Sequence, residues 1–256
     1  MPLNIPVKQN KKLEIIVQRI NESITLNTYW YCSNITAIDR MGINDHGPVH
    51  IRIVANLALK ILRMLIEANV QPSVEKHHKL TRDDAEVIVV LAAALHDIGH
   101  IVHRANHEPF SVALAANLLS ELLVGLYEPR ERAIITAEVL HAIYAHDTHV
   151  EPLTVEAGAL KIADALDMEE GRARIPFKAG SLTIHAVSAT AIEDVQIRKG
   201  DKRPICIEIK MSNSAGIFQI DNLLKEKLKR SGLAEYFEIR AEITGEEKKL
   251  IERYEL

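Results

Sequence analysis

Residues 87 to 95, Val87-Ile88-Val89-Val90-Leu91-Ala92-Ala93-Ala94-Leu95, form an unbroken apolar run, followed at once by His96-Asp97-Ile98-Gly99-His100. A stretch with no polar face reads as a helix buried on every side, so any fold of this chain must enclose it. That helix then ends on a histidine and an aspartate. An imidazole and a carboxylate on adjacent residues reach one divalent cation only where the backbone leaves regular helix or strand geometry. Gly99, two residues on, supplies that freedom. His-Asp dipeptides are common by chance; the buried approach and the further His and Asp residues on either side give this one its weight.

Apolar periodicity predicts helices up to about residue 175. Leu13, Ile16, Val17 and Ile20 make one stripe. Pro48 suits the first turn of a helix in which Val49, Ile53, Leu57, Ile61 and Leu65 recur every four residues. A loop is expected from Gln71 to Leu80, and Thr81 with Asp84 resembles the cap of the apolar helix. Pro109 and Pro129 suggest two further helix starts, and Pro152 the start of a helix carrying Asp164. After Gly171 the pattern alternates with period two in Leu182-Thr183-Ile184, Val195–Arg198, Ile205–Met211 and Phe237–Ile243, with a further strand expected toward Leu256. Ile217, Ile220, Leu223, Leu224 and Leu228 form one helical stripe among these strands. The expected organisation is a helical domain over residues 1–175 and a small α+β layer, of ferredoxin-like type, over residues 176–256.

At 256 residues the chain is long enough for one large or two modest cores, and its net charge of −4 excludes a nucleic-acid-coating or membrane-surface protein. Cys32 and Cys206 lie far apart without metal-type spacing, as expected of a reduced cytoplasmic protein. No segment is apolar for long enough to span a bilayer. Of 12 histidines, all but His185 precede residue 150 and so segregate with the helical part.

The order of these residues resembles the HD superfamily of metal-dependent phosphohydrolases, whose signature is a first His, a His-Asp pair and a distant Asp. His50 begins His50-Ile51-Arg52-Ile53-Val54-Ala55, similar to the family's first-His helix. His96 and Asp97 match the pair, and Asp164 in Lys161-Ile162-Ala163-Asp164 matches the closing Asp. The resemblance covers roughly residues 40 to 175 and implies a helical HD bundle with a divalent cation on His50, His96, Asp97 and Asp164. Two imidazoles and two carboxylates suit Mn, Fe, Co, Ni or Zn better than Ca.

Other residues extend this site. His107-Glu108-Pro109-Phe110-Ser111 resembles a segment of HD-type deoxynucleotide triphosphohydrolases, which implies His107 as a proton donor, with His100 beside it. Binuclear relatives draw further histidines from the region of His141 and His146; a second cation on His107 and His141 would make Asp97 a bridge. Otherwise His103 and His146 are expected at the substrate phosphate, with Lys161, Arg172 and Arg174. His46 departs from the acidic residue that three-metal HD phosphodiesterases carry at that offset, and is not expected as a ligand.

The resemblance implies hydrolysis of a phosphomonoester or nucleotide by a metal-activated water. Two other readings stand beside it: a metal-bound regulatory module sensing an effector through the C-terminal layer, where Ser212–Phe218 offers backbone N–H groups, and a di-iron oxygenase. The alternating strands also suggest a homodimer through the C-terminal layer.

Overall fold

The computed structural model describes residues 2–8, 10–168 and 188–244. Helices α1 (Lys11–Glu22) and α2 (Ile24–Asn34), the latter running into a π-helical turn (Ile35–Arg40), precede α3 (Pro48–Glu67), α4 (Ser73–His78) and α5 (Arg82–Leu95). A 3-10 turn (Ile98–Ile101) leads to α6 (His107–Leu122), α7 (Pro129–Ala145) and α8 (Val155–Ala165). The C-terminal segment holds β1 (Ile192–Lys199) and β2 (Ile205–Met211). Then come α9 (Ile217–Gln219), a π-helical turn (Ile220–Leu224), α10 (Lys225–Lys229) and β3 (Phe237–Ile243). The fold is therefore a mostly helical bundle followed by a small α+β layer.

α5 is the axis of the bundle. Asp84, Ala85 and every residue from Val87 to Leu95 are buried, and α1, α3, α4, α7 and α8 pack around the helix. Its start is fixed by a reciprocal capping box: the Thr81 hydroxyl accepts from Asp84 N, and the Asp84 carboxylate accepts from Thr81 N. Asp84 also accepts from Tyr127 Oη at 2.9 Å and from Lys12 Nζ at 2.7 Å, which ties α1 and the α6–α7 connection to the same cap. Near the other end, Trp30 Nε1 donates to Ala94 O at 2.8 Å.

Two local expectations change. The stretch from Gln71 to Leu80 contains α4 rather than an open loop, because the buried Glu156 carboxylate accepts from Ser73 N and Val74 N and so satisfies the first turn. α8 begins at Val155, not at Pro152, with the Thr154 hydroxyl accepting from Ala157 N.

In the C-terminal layer β1 pairs antiparallel with β2, and β2 pairs parallel with β3 across the helical connection. The strands expected at 182–184 and beyond Thr244, the boundary expected at 175/176, and Arg172, Arg174 and His185 all lie outside the described residues. The turn at Ser214–Gly216 is capped by its own Asn213, whose Oδ1 accepts from Ala215 N at 2.9 Å. One continuous buried cluster runs from the bundle into the layer, through Ile205, Ile207, Leu224, Leu228 and Phe237.

Candidate metal centre

Five helix ends meet at Asp97. α5 stops at Leu95, and Asp97 adopts φ −107° and ψ 3°, outside regular helix geometry, which lets both His96 and Asp97 face inward. Gly99 is needed here for space rather than for backbone freedom. Its φ is not positive, but a Cβ there would lie 2.0 Å from His107 O and 2.6 Å from Ser111 N. The Ser111 hydroxyl accepts from Gly99 N at 2.8 Å, so the start of α6 is clasped to the His-Asp turn and His107 is delivered to the same place. α3 brings His50, α8 brings Asp164, and the end of α7 brings His146.

The two oxygens of Asp97 face different neighbours. Oδ2 lies 2.6 Å from His46 Nδ1, 3.2 Å from His50 Nε2 and 3.5 Å from His96 Nε2. Oδ1 lies 3.2 Å from His107 Nε2, 3.7 Å from His100 Nε2 and 3.8 Å from His146 Nε2. Asp164 Oδ1 joins the first group, 3.4 Å from His50 Nε2.

The rings are held by their far nitrogens. His50 Nδ1 is 2.5 Å from Asp167 Oδ2, His96 Nδ1 is 2.8 Å from Ala93 O, and His146 Nδ1 is 2.5 Å from Ile143 O. His107 Nδ1 meets two oxygens, Arg104 O at 3.1 Å and Glu108 Oε2 at 3.3 Å, against one competing donor, Arg104 Nη1 at 3.3 Å. These acceptors assign the proton to Nδ1 and leave Nε2 as a lone pair in each ring. Yet His50 Nε2 stands 3.1 Å from His96 Nε2, and His107 Nε2 stands 3.2 Å from His146 Nε2. Two lone pairs at such a distance repel unless positive charge lies between them. A proton there would require an imidazolium in a buried site, whereas a divalent cation supplies the charge to neutral rings.

Protonation favours the same conclusion. Burial pushes His46 down to about 4 and His100 down to about 2, and holds His146 well below its ordinary value. Burial pushes the Asp97 carboxyl up, but His96, His46 and His100 outweigh it and keep it well below the usual carboxylate range. Burial is likewise outweighed at Asp164 by Lys227, His96 and His50. Neutral imidazoles beside ionised carboxylates are the state a divalent cation binds. The donor set fits such an ion.

His50, His96, Asp97 and Asp164 are thus brought together, with His100, His107 and His146 alongside. His141 is not: its Nε2 accepts from Leu153 N at 3.0 Å. It stands five residues from His146, roughly 140° around the helix, so both cannot face the centre from α7. His146 occupies the place expected of His141. Lys161 is also elsewhere than expected. It is fully buried and donates to three backbone carbonyls, Ala145 O at 3.3 Å, Val150 O at 2.7 Å, and Asp147 O. This leaves no donor for a substrate and fixes the loop after α7. His103 is exposed, and its Nδ1 accepts from Ala105 N.

The family model of the HD domain matches residues 47–169. The chain belongs to the HD superfamily of metal-dependent phosphohydrolases. This HD protein is also 43% identical over 233 residues to the uncharacterized protein MJ1020 of Methanocaldococcus jannaschii, across 91% of the chain and 90% of that protein. None of the described helices of the HD protein is long and apolar enough to cross a membrane.

His46, not expected as a ligand, is a direct neighbour of Asp97, and sequence reasoning missed Asp167 as the support of His50. Asp167 follows Asp164 by three residues, one helical turn, which was a usable signal. His146 carried one too: it opens a second His-Asp dipeptide directly after a helix end, as His96 does.

Proposed function

We propose that this HD protein hydrolyses phosphomonoesters, nucleotide phosphates among them, with a divalent transition metal (Mn, Fe, Co, Ni or Zn) on each side of Asp97. The supporting observation is the division of the two close Nε2 pairs between the two carboxylate oxygens, His50 and His96 at Oδ2, His107 and His146 at Oδ1. When bound, such ions lower the pKa of a water and neutralise charge on a phosphoryl group.

The chain's own residues do the positioning. Asp164 adds a second carboxylate to the His50–His96 side, and Asp167 fixes the His50 ring. Asp97 belongs to both sides and sets their separation. His107 serves as a ligand in this reading, since its Nε2 stands 3.2 Å from both Asp97 Oδ1 and His146 Nε2, with Arg104 Nη1 farther off at 3.5 Å. His100, held neutral by burial and stacked on His46 with ring centroids 4.4 Å apart, keeps the Oδ1 side packed. A cavity of about 430 Å³ opens onto Asp97, His107, His146 and Asp164, a size for a small phosphorylated molecule.

The test is phosphate release from a panel of nucleotides and phosphomonoesters by native protein and Asp97→Ala, each supplied with Mn, Co, Ni or Fe. Turnover of one class, lost in the variant, is the expected result. A folded native protein that holds metal and releases no phosphate from any member would overturn the reading, and oxygen uptake by the iron form would replace it with an oxygenase.

A further inference from the structure

Asp164 turns its two oxygens in different directions. Oδ1 faces His50 and His96, while Oδ2 lies 2.5 Å from Lys227 Nζ. Lys227 belongs to α10 of the C-terminal layer, 63 residues further along the chain. Both side chains are 15% exposed, so the pair is neither sealed in the core nor a surface contact. Lys227 lines the same cavity as Asp97, His107 and His146. An ammonium carries three donors, and Asp164 Oδ2 is the one acceptor that the described residues give it. Among the described residues no acceptor takes the other two donors of this cavity-lining side chain.

A second cation stands by the other oxygen of Asp97. Arg104, in the turn before α6, lines the same cavity, with Nη1 3.3 Å from His100 Nε2. One side chain of fixed positive charge therefore flanks each side of the centre. Because Asp164 faces the imidazoles through Oδ1 and Lys227 through Oδ2, the ammonium has no need to leave when Oδ1 is engaged.

The geometry points to Lys227 as a substrate-binding residue: the C-terminal layer delivers its ammonium to the cavity, where it holds the non-reacting oxygens of the substrate phosphoryl group, with Arg104 on the opposite side of Asp97. This rests on the hydrolase reading above and sharpens its substrate class. Two cations beyond the metal ligands match the two charges of a phosphomonoester better than the single charge of a diester. It also makes the C-terminal layer part of the catalytic unit instead of an appendage.

The experiment is calorimetric titration of manganese-loaded full-length protein with inorganic phosphate, with manganese content measured on the same samples. Lys227→Ala is expected to weaken phosphate binding about tenfold while retaining its manganese. A loss of threefold or more at unchanged manganese supports the assignment. A smaller loss overturns it, as does a loss accompanied by manganese release, which would mean that Lys227 acts through Asp164. Should Lys227→Ala not fold, Lys227→Gln, which keeps most of the stem, is read by the same criterion. If native protein holds manganese yet binds no phosphate, the hydrolase reading falls first and takes this inference with it.

Discussion

The two sides of Asp97 are built differently. The Oδ2 side takes His50 from the first turn of α3, His96 from just past the end of α5 and Asp164 from the last turn of α8, and so adds a second carboxylate to the shared one. The Oδ1 side takes His107 from the first residue of α6 and His146 from just past the end of α7, with Asp97 as its carboxylate. A side with two carboxylates should bind its ion tightly. A side with one shared carboxylate should bind more weakly and exchange faster. Both sides are seated at helix ends, and the difference between them is one carboxylate.

Several measurements would break or sharpen that contrast. The largest effect is expected from Asp97→Ala, which removes the shared ligand: turnover should fall on the order of 10³-fold or more, and metal content should collapse on both sides. Single-side variants come next. His146→Ala should reduce bound metal from about two equivalents to about one, and His96→Ala should remove the tighter-held ion. Equal affinities of the two ions in a titration of native protein would refute the asymmetry. Asp167→Asn, which loosens the His50 ring without touching a ligand set directly, should weaken metal affinity about 10- to 100-fold on the Oδ2 side alone.

A pH effect follows from the buried rings. His46 and His100 have folded values of about 4 and about 2 against an ordinary 6.5. As pH falls below 6.5 the unfolded chain takes up protons that the folded chain refuses, so metal-free protein should lose stability from pH 6.5 downward. Each ring contributes up to about 1.4 kcal/mol per pH unit. A melting temperature that is flat between pH 7 and pH 5 would contradict this. The smallest effect is expected from His141→Ala. Metal content should not change, and stability should shift by about 1 kcal/mol or less, through the lost contact to Leu153 N.

What could be read from sequence divides along another line. The buried helix, its cap at Thr81 and the chain order His50, His96-Asp97, Asp164 are local patterns or fixed steps along helices, and they are legible. The choice between His141 and His146 is not, because both lie on the same helix run and only the position where α7 stops decides between them. Lys161 sits one turn before Asp164 on α8, so sequence placed it near the centre, but its direction was set by the α7–α8 loop. Lys227 carried no local signal, since its approach to Asp164 depends on how the C-terminal layer packs on α8.

That lysine inside α8 has a mechanical consequence. Three donors on Lys161 are matched to one carbonyl at the end of α7 and two in the loop after it, so the end of α7 and the loop are clamped to the helix that bears Asp164. An ammonium on a tether here does the work that a structural ion does in many loops, with no dependence on ion supply. Any tilt of α8 that carries Asp164 must drag His146 with it, so the two halves of the centre are geared together: a substrate that pulls on one moves the other.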